Sequence, residues 1–188
     1  RQIRQMSTIV EDLLHASKVM RGEFDLARQE VDLRQLVREA VDVVELSARE
    51  RRQALTLSVP EEPVAVRVDK SRIRQVCVNL LTNASKYTPE EGAIGVTVGL
   101  TDDGAARISV RDTGKGVAAA DLTNIFGLFV RATSGGNGLG IGLAIAGRLV
   151  TMHGGTITAN SDGPGLGSEF IVTLPLDGGA PAALPGAL

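Results

Sequence analysis

Two carboxamides and an ammonium group fall on one stripe of a predicted helix in the middle of the chain. Asn79, Asn83 and Lys86 are four and three residues apart, so a helix of about 3.6 residues per turn brings them to one side. The neighbouring arc is apolar and would face a core; it consists of Ile73, Val76, Cys77, Leu80 and Ala84. Such a pair of stripes suits a ligand with a charged end and an apolar end. It would equally suit a helix face in contact with solvent.

A short glycine-containing segment could hold another part of such a ligand. Residues 112–117 read Asp-Thr-Gly-Lys-Gly-Val and directly follow a predicted strand. The strand would hold the Asp112 carboxylate in a fixed place, and Gly114 and Gly116 would let a ligand approach closely. An Asx turn that simply ends the strand explains the same residues equally well.

A second glycine-rich segment opens a predicted helix. Residues 136–143 read Gly-Asn-Gly-Leu-Gly-Ile-Gly-Leu. Free backbone N–H groups and the positive dipole end of a helix suit a polyphosphate. Glycines lower helix propensity, which favours a functional reason for Gly138, Gly140 and Gly142. The segment lacks the preceding strand of a dinucleotide-binding fingerprint and the Gly-Lys-Ser/Thr of a P-loop.

Composition narrows the class of protein. The 188 residues include 43% hydrophobic residues and carry a net charge of −2, which permits a sizeable core and argues against a nucleic-acid binder. The single cysteine, Cys77, excludes an internal disulfide and fits a reducing compartment, so we expect a cytoplasmic location. The sequence has no signal peptide and no run of about 18 apolar residues. Because it begins at Arg1, we expect a fragment, and the parent protein could be membrane-anchored or soluble.

The remaining elements predict an α+β fold. Residues 1–21 have a coiled-coil spacing and need a partner helix. Further helices are predicted from about 33 to 52 after the Asp32 cap, after the Asp69 cap, near 121–126, and from about 140 to 153. Strands are predicted at 55–59, 64–68, 94–100, 106–111, 156–159 and 169–174, with Pro60 and Pro63 in a hairpin or loop. We expect a two-layer α/β sandwich with a mixed sheet, helices on one sheet face and one long helix in front.

Four motifs in order resemble the ATP-binding domain of bacterial sensor histidine kinases, within the family shared with gyrase and Hsp90. Residues 79–87 resemble its N box and residues 112–117 its G1 box. Residues 125–131 resemble the F box and residues 136–145 the G2 box, which is followed by His153-Gly154-Gly155. The resemblance implies a Bergerat-type fold that binds ATP or ADP with Mg²⁺.

The resemblance also implies a role for each matching residue. Asp112 would accept the adenine amino group, and Tyr87 would lie against the nucleotide. Asn83 would bind Mg²⁺, Lys86 would approach the phosphates, and Asn79 would support that side. The implied ATP-binding set is Asn79, Asn83, Lys86, Tyr87, Asp112, Gly114, Gly116, Val117, Phe129, Arg131, Gly138, Leu139, Gly140, Ile141, Gly142 and Leu143.

Residues 118–137 would form a mobile ATP lid, with Arg131 as a candidate γ-phosphate contact. Asn79 stands where the ATPases of this family have a glutamate. Because a carboxamide cannot act as a general base, we expect transfer to a histidine rather than vigorous hydrolysis. The acceptor motif of the family is absent from the sequence, and His15 lacks its context. His153 is expected to pack or cap a helix end.

These expectations define three parts of the chain. Residues 1–26 would be the second helix of a dimerisation hairpin, residues 31–176 the catalytic domain, and residues 177–188 a flexible tail or linker. The expected function is transfer of the ATP γ-phosphoryl group to a histidine of the dimerisation helices, for relay to a response regulator aspartate in a homodimeric parent protein. The alternative is a degenerate nucleotide-binding regulatory module, which Gly127 slightly favours because the family often has a polar or acidic residue there.

Overall fold

A computed structural model describes residues 25–130 and 140–177 of the chain. The predicted first helix, the last part of the predicted lid from residue 131 and the tail beyond residue 177 lie outside the described residues. The elements in chain order are β1 (Gln29–Asp32), α1 (Leu33–Glu50), β2 (Ala54–Ser58), β3 (Ala65–Val68), α2 (Lys70–Tyr87), β4 (Ala93–Leu100), β5 (Ala106–Asp112), α3 (Ala119–Leu122), α4 (Gly142–Met152), β6 (Thr156–Asn160) and β7 (Ser168–Leu174).

Five strands form a mixed sheet in the order β2-β4-β5-β7-β6. β2 runs parallel to β4, and the other neighbouring strands are antiparallel. Side chains alternate between the two faces of a strand, and one face of this sheet is apolar and buried. That face includes Ile94, Val96, Val98, Ile108, Val110, Phe170 and Val172. The α+β sandwich with a mixed sheet is therefore confirmed.

The helices pack on the apolar face of the sheet. α2 lies between α1 and α4, and α1, α2 and α4 contact β2, β5 and β6 respectively. α1 buries Leu36, Val37, Ala40 and Val44, a helical spacing that forms one apolar stripe. Within residues 25–130 and 140–177, no helix combines the length and the apolar character that a membrane span needs.

Both predicted helix caps are present. The Asp32 side chain accepts a hydrogen bond from the backbone N–H of Arg34 at the start of α1. The Asp69 side chain accepts from the N–H groups of Ser71 and Arg72 at the start of α2. Each carboxylate satisfies N–H groups that have no partner inside the helix.

The strands on either side of the Pro60–Pro63 segment belong to different sheets. β2 lies at the edge of the main sheet, whereas β3 pairs with β1 in a separate two-stranded antiparallel sheet. The segment between them is therefore a loop, which was one of the two predicted alternatives, and no hairpin forms. The short helix α3 is also shorter than predicted and begins earlier, because residues 123–126 form turns.

His153 caps the C-terminal end of α4, and its ring is buried and neutral. It is 1% exposed, its Nε2 accepts a hydrogen bond from the Asp69 backbone N–H at 3.0 Å, and its Nδ1 lies 2.7 Å from the Leu149 carbonyl oxygen. Because Nε2 accepts, Nδ1 is the donor. Burial lowers the pKa of His153, helped by the nearby charge of Arg28, although the bond to Leu149 and the charge of Asp69 oppose the shift. The histidine joins the end of α4 to the start of α2.

We predict that the free energy of unfolding decreases as the pH falls below the ordinary histidine pKa of 6.5. The unfolded chain binds a proton at His153 there, while the folded chain, with its lowered pKa, does not. Urea unfolding from about pH 7.5 to about pH 5.5 measures this slope. Asp32 and Asp69 have lowered pKa values, so their contribution is lost only at more acidic pH. His153→Gln should flatten the slope, and an unchanged slope in that variant would contradict the prediction.

Candidate functional site

The carboxylate of Asp112 is buried and held on both oxygens. Asp112 is the last residue of the central strand β5 and is 5% exposed. Its Oδ1 accepts a hydrogen bond from the Gly114 backbone N–H at 2.7 Å, and its Oδ2 accepts from the Ser168 hydroxyl at 2.6 Å. Each carboxylate oxygen has two acceptor sites, so the group is fixed in direction and can still accept another hydrogen bond.

Ser168 is a site residue that the sequence analysis missed. It begins β7 and pairs in register with Asp112. The sequence showed a glycine-rich link before a strand, but it carried no signal that β7 would be the neighbour of β5. The hydroxyl of Ser168 is therefore brought to Asp112 by the strand order.

The loop between β6 and β7 supports the segment after Asp112. The Gly165 N–H donates to the Lys115 carbonyl oxygen at 2.6 Å, and the Gly167 N–H donates to that of Gly114 at 3.1 Å. The Ser161 hydroxyl accepts from the Val117 N–H at 3.0 Å. Residues 114–117 are thus held by a second loop.

Two glycines are required where these loops meet. Gly167 has φ +74°, and a Cβ atom there would overlap the carbonyl oxygen of Asp112. Gly116 has φ +64°, and a Cβ atom there would overlap the carbonyl oxygen of Gly163. Both the left-handed backbone and the close approach exclude other side chains. The sequence analysis assigned Gly116 to the close approach of a ligand. The packing of the two loops requires a glycine at this position as well.

Asn79 links the polar stripe of α2 to the start of α4. Its Nδ2 donates to the Gly142 carbonyl oxygen at 3.0 Å, and a Cβ atom on Gly142 would lie 3.8 Å from the Asn79 carboxamide. The predicted N box and G2 box are therefore in direct contact. The bond also orients Asn79, whose Oδ1 lies on the other side of the carboxamide.

The other polar residues of α2 follow Asn79 toward the end of the helix. Asn83 is half-buried one turn further on. The Lys86 ammonium lies over the Tyr87 ring, 4.9 Å from its centroid, a distance typical of a cation–π contact. The Tyr87 carbonyl oxygen accepts from the Lys115 N–H at 3.1 Å. The end of α2 therefore meets the segment that follows Asp112.

A magnesium ion fits this donor set only with help from a ligand. The Asn83 carboxamide oxygen is a hard donor of the kind Mg²⁺ prefers. In the part of the chain that the structure describes, no group of three or more His, Cys, Asp or Glu side chains could hold a metal. Mg²⁺ usually keeps several waters and is bound by a few protein ligands together with substrate phosphates. A single protein ligand, Asn83, is consistent with this mode of binding.

The predicted F box divides into an anchored and an exposed half. Ile125 is buried, and the Phe126 ring packs edge-on against Phe170 with centroids 6.4 Å apart. Phe129 has φ +61° and is 61% exposed, and its N–H donates to the Gly140 carbonyl oxygen at 3.1 Å. The Phe129 backbone thus lies next to the residues that precede α4, and its side chain is mostly exposed.

Gly127, the departure from the family pattern, is explained by packing. A Cβ atom there would lie 2.8 Å from a Val130 methyl group and 3.0 Å from the Asn124 carbonyl oxygen. A larger residue would require the Val130 side chain and the Asn124 carbonyl group to shift. The local packing therefore disfavours a side chain at residue 127.

The remaining predicted site residues are partly described. Val117 and Ile141 are buried, Leu143 is half-buried, and Gly140 has φ +68°. Arg131, Gly138 and Leu139 lie outside the described residues. The proposed γ-phosphate contact of Arg131 and the first part of the G2 box stay predictions.

Comparisons with known proteins give matches to a family model, to named proteins and to solved structures. The model of the family described as histidine kinase-, DNA gyrase B- and HSP90-like ATPase matches residues 68–178. The chain is 38% identical over 177 residues to the adaptive-response sensory kinase SasA of Thermosynechococcus vestitus, which covers 93% of this chain and 46% of that protein. The chain thus spans about half the length of this relative.

Two solved structures are similar in fold. Full-length ShkA in complex with AMPPNP superposes with a TM-score of 0.82 and 32% identity, over 96% of this chain and 37% of that one. The nucleotide-free catalytic domain of histidine kinase ThkA gives a TM-score of 0.71 and 29% identity, over 80% of this chain and 97% of that one.

We predict that Gly167→Ala damages the site far more than Gly165→Ala. Both glycines have positive φ, so each substitution adds backbone strain of about 1 kcal/mol. Only at Gly167 would the new methyl group overlap Asp112, since nothing lies within 4 Å of a Cβ atom at Gly165. Urea unfolding and calorimetric titration with Mg²⁺-ADP measure both effects. Equal losses of stability and nucleotide affinity in the two variants would contradict the assigned contact.

Proposed function

The chain belongs to the histidine kinase-, DNA gyrase B- and HSP90-like ATPase family, and we propose that it is the ATP-binding catalytic domain of a sensor histidine kinase. In this proposal it transfers the γ-phosphoryl group of Mg²⁺-ATP to a histidine that residues 1–188 do not supply. The sensory kinase SasA and the histidine kinase ThkA, to which the chain is similar, support this assignment.

The observation that carries the proposal is the fixed, buried carboxylate of Asp112. The bonds from Gly114 and Ser168 leave acceptor capacity on a group that cannot turn. An adenine amino group is a donor that such a carboxylate can recognise. A buried acceptor discriminates strongly, because an analogue without the donor leaves the acceptor unpaired. Asp112 is therefore proposed to select adenine.

The stripe on α2 is proposed to hold the phosphates. Lys86 would supply positive charge, and Asn83 would give an oxygen to Mg²⁺, which would neutralise phosphate charge when bound. The bond between Asn79 and Gly142 keeps this stripe against the start of α4, where backbone N–H groups favour anions. Phosphoryl transfer needs mainly such positioning and charge stabilisation.

The chemistry of Asn79 favours transfer over hydrolysis. Its carboxamide cannot take a proton, and its Nδ2 already donates to Gly142, so water is not activated there. An imidazole nitrogen needs no such base to attack the γ-phosphorus. The new N–P bond forms as the P–O bond to ADP breaks, and the imidazole then loses its proton to a neighbouring base.

The wider setting follows from the same proposal. The acceptor histidine would lie on dimerisation helices of the same protein, with residues 1–26 as the end of the second helix and residues 31–176 as the catalytic domain. The parent protein would act as a homodimer in the cytoplasm and pass the phosphoryl group to a receiver aspartate of a response regulator. Residues 177–188 would be a tail or linker.

The alternative, a degenerate module that binds nucleotide without transferring phosphate, has less support. Gly127 was the residue that favoured it, but the closeness of Val130 gives a structural reason for a glycine at this position. Retained Asn83, Asp112 and Gly142 favour an active site. The two candidates differ in whether phosphohistidine forms.

We predict that Asp112→Asn lowers the affinity for Mg²⁺-ADP by about 10- to 100-fold, because a bond between a charged acceptor and adenine is lost. The substitution keeps the size of the side chain. Asp102→Asn, in the exposed turn between β4 and β5, is the matched control and should bind like the wild type. Calorimetric titration measures both, and equal affinity of all three proteins would refute the adenine assignment.

We also predict phosphohistidine on a separate dimerisation hairpin that carries the acceptor histidine, when it is incubated with this chain and Mg²⁺-ATP. The chain alone should show little steady ATP turnover, since Asn79 cannot activate water. Nucleotide binding without phosphohistidine would favour the degenerate module. Vigorous turnover by the isolated chain would instead indicate an ATPase of the gyrase type.

A further inference from the structure

The segment that leads into the domain is attached to it before the first strand begins. Residues 25–28 form neither helix nor strand. The Ala27 N–H donates to Asp69 Oδ2 at 3.1 Å, and the Arg28 guanidinium donates to the Met152 carbonyl oxygen at 2.9 Å. These bonds span 42 and 124 residues of sequence, so they are tertiary contacts that fix the path of the chain.

Asp69 uses its two carboxylate oxygens for different partners. Oδ1 caps α2 through the backbone N–H groups of Ser71 and Arg72 at 3.0 and 3.2 Å. Oδ2 is the oxygen that accepts from Ala27. Burial would raise the pKa of Asp69, but a hydrogen bond from the Ser71 hydroxyl and these backbone bonds together lower it, so the carboxylate is ionised at neutral pH. The cap alone would need only one oxygen.

Arg28 binds the C-terminal end of a helix, whereas Asp69 caps the N-terminal end of another. Met152 is the last residue of α4, where unpaired carbonyl groups form the negative end of the helix dipole and favour a cation. His153 then joins the two anchors, because its Nε2 accepts from the Asp69 N–H and its Nδ1 donates to Leu149 of α4. One side-chain cluster therefore ties residues 25–28 to both α2 and α4.

We propose that Arg28 and Asp69 form a linker clasp that sets the direction in which the preceding segment meets the domain, and that both act as positioning residues for phosphoryl transfer. This inference rests on the proposed function, because it assigns the acceptor histidine to helices that precede residue 25. Within the clasp, Asp69 caps the first turn of α2 and Arg28 binds the last residue of α4. The predicted phosphate ligands occupy the later turns of α2 and the first turn of α4.

The clasp would control the position of the acceptor histidine relative to the catalytic domain. In-line attack requires the imidazole nitrogen within about 3.5 Å of the γ-phosphorus. A segment that pivots freely before β1 spreads the acceptor over many orientations and lowers the fraction poised to react. Nucleotide affinity does not depend on that direction, which separates the clasp from the residues that bind ATP.

Three variants test the clasp. Arg28→Gln removes the guanidinium bond to Met152, and Arg28→Lys keeps a cation at the end of α4. Asp69→Asn has one carboxamide oxygen, which cannot both cap α2 and accept from Ala27 in the same way. Asp32→Asn is the matched control, since Asp32 also caps a helix with a carboxylate but bonds to Arg34.

Transfer is measured in two arrangements. In the full-length protein the acceptor is joined through residues 25–28, whereas in the second arrangement the 188-residue chain acts on a separate acceptor hairpin. We expect Arg28→Gln and Asp69→Asn to slow transfer roughly tenfold or more only when the acceptor is joined. Arg28→Lys should restore most of the rate, and Asp32→Asn should leave it unchanged. All variants should bind Mg²⁺-ADP like the wild type.

Two results would overturn the clasp. One is an unchanged rate with the joined acceptor, and the other is an equal loss in both arrangements, which would indicate general damage. If the wild type transfers no phosphate at all, the proposed function fails by itself. The rate of hydrogen exchange at the Ala27 amide then tests the clasp. Exchange that is roughly tenfold faster in Asp69→Asn than in Asp32→Asn would support it, and equal rates would overturn it.

Discussion

The candidate site depends on the buried carboxylate of Asp112, which is fixed by hydrogen bonds from Gly114 and Ser168. A buried carboxylate without partners would be costly, so the fold must supply donors at both oxygens. It does so by ending β5 in a glycine turn and by placing the first residue of β7 beside it. The loop before β7 then packs on that turn so closely that Gly167 has no room for a side chain. The proposed adenine recognition and the packing at this end of the sheet thus depend on the same carboxylate.

The phosphate side is built by contacts between helices instead of strands. The bond from Asn79 to Gly142 joins α2 to α4, and the buried His153 joins the far end of α4 to the start of α2. Two polar bonds therefore fix the relative placement of the helices that carry the predicted phosphate ligands. Since Asn79 uses its amide as a donor here, its structural role and its inability to activate water have the same chemical origin.

Local features of the site and fold could be predicted from the sequence, because local physics determines them. The caps at Asp32 and Asp69 and the glycine turn after Asp112 follow from residue types at helix and strand ends. The separation of β2 and β3 into two sheets could not be predicted, since strand pairing over long distances leaves no local pattern. For the same reason, Ser168 and the link from Asp69 to His153, which spans 84 residues, were found only in the structure.

The most direct test of this account is a crystal structure of the chain with Mg²⁺ and a non-hydrolysable ATP analogue. We predict that the adenine amino group lies within hydrogen-bond distance of the Asp112 carboxylate, with the bond from Ser168 retained. Mg²⁺ should bind Asn83 and the phosphates, which should lie between α2 and the start of α4. A nucleotide bound elsewhere, or with its base turned away from Asp112, would contradict the account.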